Sequence, residues 1–549
     1  MKHEKRGTAQ TIEEGHLELL GVKSTDEING WYIKAQKDLY RLDGIDEADR
    51  ILNEDKNRPI RILGDYDVDG IMATSIVFRA LKWRGFKNVS CRQPYRFTEG
   101  FGMNVMMVDE ITDSNTVIIT VDNGIAALGP VAYAKEKGYT VIVTDHHEPV
   151  VDKNGNAILP EADVVIDPVA IPGSADFNGY CGAGIAFKLA RALLKGDPRI
   201  RLLYPLVALA TIADHVPLRE ENYYFARKGL GDCNKGNEFL LPGVAALIRR
   251  NNLQYVDADA AGYILNPSIN APERVANGEA RKGVELFTED DPDECERLAD
   301  HLYEYNDERK RLVKAAFEKV ADELREQEGS CPLIIYIPGI SEGIIGIIAG
   351  DLLKRYGVPA AVFSDSDEEG FLKGSFRSND NYNVKEHLDS CQDLFVKCGG
   401  HEKAGGATVR KKDFNAMRVA MSAHAKKPAS YGAGTLYYDV EIKSSELADA
   451  VARNERFQPF GEGNRDLVYK ITGFRVIPLK FKGDAKQQIG NGGLRIRSKE
   501  CFAVGFGLWH LGEGITFGST VTLYGTISYN RYNGSVTPQI IFDDLEIEK

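Results

Sequence analysis

Residues 61–84 read RILGDYDVDGIMATSIVFRALKWR, and the rest of the chain can be laid out around them. Arg61-Ile62-Leu63 is the end of a short apolar strand. It breaks at Gly64 into three aspartates spaced by two, Asp65, Asp67 and Asp69. After Gly70, the positions Ile71, Thr74, Val77, Phe78 and Leu81 take helical spacing. A strand, a carboxylate-rich turn and a helix place ligands in the crevice beyond a parallel strand. Carboxylates packed this closely repel one another, so the turn calls for a cation. An EF-hand is excluded. That loop needs a Glu six residues after its glycine, and the residue there is Ile76.

The pattern repeats downstream. A strand over 89–93 leads into the loop PYRFTEGFG (94–102). Residues 116–121, TVIITV, form a largely apolar strand that ends at Asp122-Asn123-Gly124. A helix over 126–137 leads to the strand 140–143, TVIV, and then to Thr144-Asp145-His146-His147. Near-continuous Val/Ile strands alternating with helices predict a parallel sheet covered on both faces. Residues 202–212, LLYPLVALATI, read as a helix despite Pro205 and end at Asp214-His215. A carboxylate there meets the negative end of the helix dipole, unfavourable by about 0.3–1 kcal/mol, and a metal cation reverses the sign.

Asp65, Asp67, Asp122, His146, His147 and Asp214 therefore form one inventory of oxygen and imidazole ligands. With no thiolate among them, they suit Mn²⁺ or Mg²⁺ rather than structural zinc. Two such cations about 3.5–4 Å apart, bridged by one carboxylate, would clamp the attacking and leaving oxygens of a phosphodiester.

The bounds agree with this reading. At 549 residues the chain has length for three or four domains. Its 43% hydrophobic and 27% charged content is that of a water-soluble globular protein. No apolar run reaches about 18 residues, and MKHEKRGTAQTIEEGH lacks the apolar core of a signal peptide. The eight cysteines contain no C-x-x-C pair, which reads as reduced thiols in a cytoplasmic protein. A net charge of −13 argues against a generally basic nucleic-acid coat and leaves room for a local basic channel.

At this point GDYDVDG (64–70), TVDNG (120–124), VTDHH (143–147) and ADHVPL (213–218) resemble the four motifs of the DHH phosphoesterase superfamily. Length and later motifs are similar to its RecJ branch, over roughly residues 20–549. RFTEGFG (96–102) is similar to the loop that branch associates with a 5′ end, and CGAGIAFK (181–188) also matches. Read alone, CGAGIAFK is a weak dinucleotide loop without its third glycine, so it is taken as helix packing. Asn270-Ala271-Pro272-Glu273-Arg274 resembles a family segment with two departures, Ser268 for Arg and Pro272-Glu273 for Ala-Gly.

Residues 292–328 read as one long helix opening with Pro at its first position, roughly 50 Å long and able to join two domains. Residues 331–425 then form a second α/β unit, where Ile340-Ser341 stands in place of the family's Trp-His. GSFRS (374–378) and Gly399-Gly400-His401 with Ala404-Gly405-Gly406 match the DHH-associated substrate domain. Glycines let backbone N–H groups approach phosphate, and Arg377 can bind it bidentately. PASYGAG (428–434) reads as a linker. Short strands beyond it (436–442, 468–476, 494–498, 503–506, 520–529, 539–541) suggest a small OB-like barrel, preceded by the family-like PFGEGN (459–464). Lys470, Arg475, Lys480, Lys482, Lys486, Arg495, Arg497 and Lys499 face only Asp484 and Glu500 over 467–511, a local +6. With Tyr469, Phe474 and Phe481 interleaved, that suits a single-strand groove.

The expected fold is thus α/β: a helical cap over 1–55, a parallel-sheet catalytic domain over 56–290, a connecting helix over 291–329, a substrate-binding α/β domain over 330–427 and an OB-like barrel over 435–549. The resemblance implies a metal-dependent exonuclease that degrades single-stranded DNA from its 5′ end, with roles in DNA repair and recombination. Under it Asp65, Asp67, Asp122, His146 and Asp214 hold two Mn²⁺ or Mg²⁺ ions, with Asp122 bridging. His147 contacts the scissile phosphate or assists proton transfer, and Asp69 orients a ligand or water. Arg96, Asn270, Arg274, Ser375, Arg377, Ser378, Gly399, Gly400 and His401 contact substrate, and Arg96, Ser375, Arg377 and Arg274 gather around a 5′-phosphate. The enzyme is expected to be a monomer away from membranes, with a single-strand-binding protein as partner. The alternative is a DHH phosphodiesterase for short oligonucleotides or cyclic dinucleotides, which would not need a basic barrel. A non-catalytic replication scaffold would tolerate lost ligands, and none is lost here.

Overall fold

The structure is a computed structural model that describes residues 2–327, 330–379, 382–424, 435–479, 484–490, 492–532 and 534–548. Its first sheet is formed by β1 (Ile60–Gly64), β2 (Val89–Arg92), β3 (Val117–Val121), β4 (Thr140–Thr144) and β5 (Val164–Ile166). The spatial order is β2-β1-β3-β4-β5 and every pairing is parallel. The inner strands β1, β3 and β4 are buried because both faces are covered, whereas the edge strand β2 is only half-buried. Helices α1 (Val68–Arg84), α2 (Gly182–Leu193) and α3 (Tyr204–Ala213) pack their apolar residues on one face. Met103, Met107, Val131 and Ala134 close the other over Leu63, Ile118 and Val141. The chain steps from β1 outward to β2, then crosses back to β3. A crevice opens at that reversal, beyond the carboxyl ends of β1 and β3.

Local chemistry fixes the turn after β1. Asp67 caps α1 by accepting the Gly70 N–H at 3.0 Å, so the helix starts at Val68, earlier than the apolar spacing indicated. Gly70 packs on the Asp65 backbone so closely that a Cβ would lie 2.6 Å from the Asp65 carbonyl oxygen. Pro205 sits in the first turn of α3 after a 3₁₀ turn (Pro198–Leu203), not in its interior. There a missing N–H costs nothing.

Helix α4 (Asn266–Val275) leads toward α5 (Pro292–Lys319), whose 28 residues span about 42 Å. The single long helix expected over 292–328 is broken at Val320 (φ −109°), after which Ala321–Glu326 continues; residue 328 lies outside the described residues. Ala316, Val320 and Leu324, spaced by four across the break, enter the core of the second α/β unit. No glycine or proline marks it in the sequence.

That unit is a sheet of β6 (Leu333–Tyr336), β7 (Ala360–Asp365), β8 (Phe371–Arg377), β9 (Lys397–Gly400) and β10 (Ala404–Arg410), in the order β9-β10-β8-β7-β6. Helix α6 (Glu342–Tyr356) covers one face and packs against α4 and α5.

The C-terminal strands are β11 (Val440–Lys443), β12 (Tyr469–Arg475), β13 (Lys486–Ile489), β14 (Gly493–Arg497), β15 (Phe502–Gly505), β16 (Thr520–Tyr532) and β17 (Ser535–Ile547). They pair in the order β11-β12-β16-β17-β15-β14-β13. The linker expected at 428–434 lies outside the described residues. Residues 2–54 are not helices alone. Lys2–Lys5 is a strand that pairs in parallel with Thr435–Tyr438, and Ala9 and Ile12 join the core of the C-terminal sheet. A charged four-residue strand has no apolar alternation for a sequence reading to find.

Candidate metal centre and phosphate pocket

Each ligand arrives at the end of an element that the sequence dictates. Asp65 leaves β1 buried, and its Oδ1 has no hydrogen-bond partner. Asp122 leaves β3 in the left-handed region at φ +62°, a conformation that costs a non-glycine residue about 1–3 kcal/mol. Asn123 holds this corner. Its Oδ1 accepts the Met103 N–H at 2.9 Å, and its Nδ2 donates to the carbonyls of Leu63 at 3.0 Å and Val121 at 2.9 Å. β4 delivers Asp145, His146 and His147. The buried Asp145 accepts the Ile125 N–H at 2.9 Å and lies 2.7 Å from His147 Nδ1, which leaves Nε2 of His147 for the crevice. Asp214 caps the C-terminus of α3.

His146 Nε2 lies 3.0 Å from Asp122 Oδ1, 3.6 Å from Asp69 Oδ2 and 3.7 Å from Asp214 Oδ2. Three sets of ligand atoms each fall within 4.8 Å: Asp65, Asp67 and Asp122; Asp122, His146 and His147; Asp69, His146 and Asp214. Every sequence-predicted ligand is brought together, and the sets share Asp122 and His146.

Asp69 does something the sequence reading missed. The N–H groups of Gly182 and Ala183, at the start of α2, donate to its two oxygens at 2.6 and 2.8 Å. CGAGIAFK is therefore more than helix packing. Its first turn holds a carboxylate at the positive end of a helix, and a Cβ on Gly182 would lie 2.5 Å from that of Asp122. The family-like glycines were the signal.

The electrostatics ask for cations. Burial first, then the neighbouring carboxylates, push the Asp65, Asp67 and Asp122 carboxyls above the usual range, and Asp214 to about 8. Burial lowers His146. His147 resists its own burial and rises to about 9 through the hydrogen bond and charge of Asp145. An orphaned buried carboxylate oxygen and an all-oxygen-and-imidazole donor set fit Mn²⁺ or Mg²⁺.

A second cavity of about 480 Å³ lies beside this cluster, lined by Tyr66, Arg96, Arg274, Ser375, Arg377 and Gly399 among others. Strands β8, β9 and β10 make its floor. Gly399, Gly406 and Ser375 lie in register across the sheet, as do Lys397, Thr408 and Lys373. Arg377 Nη1 donates to Ser375 Oγ at 3.0 Å. Burial lowers Arg377, with Arg96 adding to it, and lowers Arg274 to about 10 with help from Arg96 and Arg309. Clustered guanidiniums of depressed basicity make an anion pocket. Arg274 also donates from Nη1 to the Gly343 carbonyl of α6 at 3.2 Å, and Ser341 Oγ donates to the Arg274 carbonyl at 3.2 Å. Ser341 thus latches α6 onto α4.

Four expected substrate contacts lie elsewhere. Ser378 is buried and donates to the Tyr382 carbonyl at 2.7 Å. Gly400 (φ +150°) packs on Ala404 and Gly405, and the exposed His401 sits at the turn of the β9–β10 hairpin. Asn270 lines a separate cavity of about 270 Å³ with His215, Arg274 and Arg309. Ser268 faces α5 and accepts from Asn306 Nδ2 at 3.0 Å. Conversely Lys373 and Lys397 were missed, although alternation along β8 puts Lys373 on the face of Ser375 and Arg377. On the C-terminal sheet Tyr469 and Phe474 are core residues rather than stacking groups, and Lys480, Phe481 and Lys482 lie outside the described residues. Half-buried cation–aromatic contacts of this sheet include instead Arg495 and Arg497 over Phe502 (4.0 and 5.3 Å) and Lys486 over Trp509 (5.4 Å). Among the described residues no helix is long and apolar enough to cross a membrane.

Comparison with known proteins agrees with this geometry. Residues 59–211 match the DHH family, N-terminal domain; 316–427 match the DHHA1 domain; 438–544 match the RecJ OB domain. A relative in Bacillus subtilis, named single-stranded-DNA-specific exonuclease RecJ, is 31% identical over 93% of the chain, which spans 64% of that relative's length. One of the same name in Dickeya dadantii is 30% identical, with 84% of each chain covered. The crystal structure of RecJ with Mn²⁺ from Thermus thermophilus is 27% identical with a TM-score of 0.74, covering 92% of this chain and 72% of that one.

Proposed function

The chain belongs to the RecJ family of single-stranded-DNA-specific exonucleases, and we propose that it hydrolyses single-stranded DNA stepwise from a 5′ end. The observation that carries this reading is adjacency. Tyr66 lines the arginine pocket, and its chain neighbours Asp65 and Asp67 belong to the metal cluster. A 5′-phosphate held by Arg96, Arg274, Ser375 and Arg377 would set the next phosphodiester against the carboxylates.

In this reading Asp65, Asp67, Asp122, His146 and Asp214 would hold two Mn²⁺ or Mg²⁺ ions. When bound, these supply the positive charge that offsets negative charge on the attacked phosphodiester. Asp145 orients His147 so that Nε2 meets the scissile phosphate. Asp69, anchored by α2, keeps the first turn of α1 in place. Arginines fixed before substrate arrives lower the ordering cost of binding.

Supporting a long strand is the cation–aromatic face of the C-terminal sheet, which a dinucleotide would not reach. A monomer in the cytoplasm, partnered by a single-strand-binding protein, belongs to the same proposal. So does a division into a catalytic unit (56–290), a connecting helix (291–329), a substrate unit (330–427) and an OB-like unit (435–549). The test is product analysis on 5′- and 3′-labelled single strands with Mn²⁺ and with Mg²⁺. Early release of the 5′ label as a mononucleotide is expected. Early release of the 3′ label would overturn the reading.

A further inference from the structure

We infer that Glu273 is the positioning residue that sets Arg96 in the pocket. This rests on the pocket being a 5′-phosphate site. Glu273 lies near the end of α4 and is 1% exposed, yet no arginine or lysine side chain is among its hydrogen-bond partners in the described residues. All three of them come from backbone N–H groups: Arg96 at 2.9 Å and Gly278 at 3.0 Å on Oε1, and Ala280 at 2.9 Å on Oε2. One carboxylate thereby ties the loop carrying Arg96 to the segment that follows α4.

The neighbouring contacts point the same way. Asn277 Oδ1 accepts the Phe97 N–H at 3.1 Å, and a Cβ on Gly278 would lie 2.7 Å from the Tyr95 ring. On the far side of the loop, Glu99 accepts the Tyr95 N–H at 2.8 Å. The backbone on either side of Arg96 is thus held from two directions, while its guanidinium reaches over Tyr66 into the cavity. The next residue after Glu273 is Arg274, a second guanidinium of the same cavity. Two successive residues of α4 therefore place both arginines, one through its own side chain and one through a backbone clamp.

The test compares kcat/KM on 5′-phosphorylated and 5′-hydroxyl oligothymidylate with Mn²⁺ for wild type, Glu273→Ala, Glu273→Gln, Arg96→Ala and the Arg96→Ala/Glu273→Ala double variant. Glu273→Ala is expected to lower the phosphate-to-hydroxyl ratio about 10-fold, mostly through KM. Glu273→Gln, which keeps Oε1, loses less. The double variant falls no further than Arg96→Ala, because both changes remove one contact. Equal losses on both substrates with an unchanged ratio, or multiplicative losses in the double variant, would overturn the inference. Amide hydrogen exchange over 94–102 reads the clamp without substrate: faster exchange at Arg96 in Glu273→Ala is expected, and unchanged exchange overturns it. A wild-type enzyme indifferent to the 5′ group would instead sink the pocket reading, leaving exchange to decide the clamp.

Discussion

The Arg96 guanidinium lies 5.1 Å from the centroid of the Tyr66 ring, and Tyr66 stands between two residues of the metal cluster. One residue therefore joins both halves of the site, its ring under Arg96 and its backbone between Asp65 and Asp67. Anything that moves the arginine loop is felt within one residue of the carboxylates.

Asp122→Ala should lower hydrolysis of single-stranded DNA about a thousandfold or more, equivalent to about 4 kcal/mol of barrier. Strand binding, measured by anisotropy, should change little, because the arginine pocket and C-terminal face are untouched. Activity near wild type would remove Asp122 from the metal set.

Divalent cations should stabilise the fold, since they neutralise carboxylates that burial and mutual repulsion have raised. With Mn²⁺ at a hundred times its Kd, the gain is about 2.7 kcal/mol. Melting in EDTA and in Mn²⁺ measures it, and the difference should shrink in Asp122→Ala. Identical melting in both buffers contradicts the site.

Arg377→Ala should erode the preference for a 5′-phosphate over a 5′-hydroxyl by about 10–150-fold, the worth of one charge-assisted contact. Arg96→Ala should do the same. If the preference survived both, terminus recognition would lie elsewhere.

His16 makes stability depend on pH. It stacks on Phe457 (4.3 Å) and Phe460 (5.4 Å), and Nε2 pairs with Asn454 Oδ1 at 2.7 Å while Nδ1 is buried without a partner. Burial lowers it from 6.5 to about 4, so between those values the unfolded chain binds a proton that the folded one does not. Stability is whole above pH 6.5 and falls as pH drops toward 4, by up to about 3 kcal/mol. Urea unfolding of wild type and His16→Leu at pH 7 and pH 5 should show a smaller fall in the variant. Equal falls refute it.

Phe502→Ala should weaken binding of a long oligothymidylate about 5–150-fold, the range for one stacked base, while leaving dinucleotide hydrolysis near wild type. Deleting residues 430–549 is a poorer test. It would also strip Lys2–Lys5 of its partner strand and uncover Ala9 and Ile12. Equal effects of Phe502→Ala on both substrates would favour the small-substrate reading.

The parallel sheet and the clustering of acids and histidines at its strand ends were legible because continuous Val/Ile strands and terminal acids are local signals. So was the arginine pocket, through GSFRS and RFTEGFG. What escaped depends on tertiary placement. Asp69 reads as one more turn carboxylate until α2 lands on it. Ser378 and His401 share motifs with pocket residues, yet Ser378 lies just past β8, buried on the Tyr382 carbonyl, and His401 sits in a hairpin turn. Tyr469 and Phe474 have the composition of a stacking surface but occupy the inward face of β12.

The parallel pairing of Lys2–Lys5 with Thr435–Tyr438 has a consequence for how the molecule comes into being. Lys2–Lys5 is synthesised ahead of its partner, which lies about 430 residues downstream, roughly 20–90 s later at typical synthesis rates. Through that interval Ala9 and Ile12 have no sheet to enter. Sealing Lys2–Lys5 onto the C-terminal sheet thus cannot precede synthesis of residues 435–438, and a chain cut short before residue 435 never reaches it.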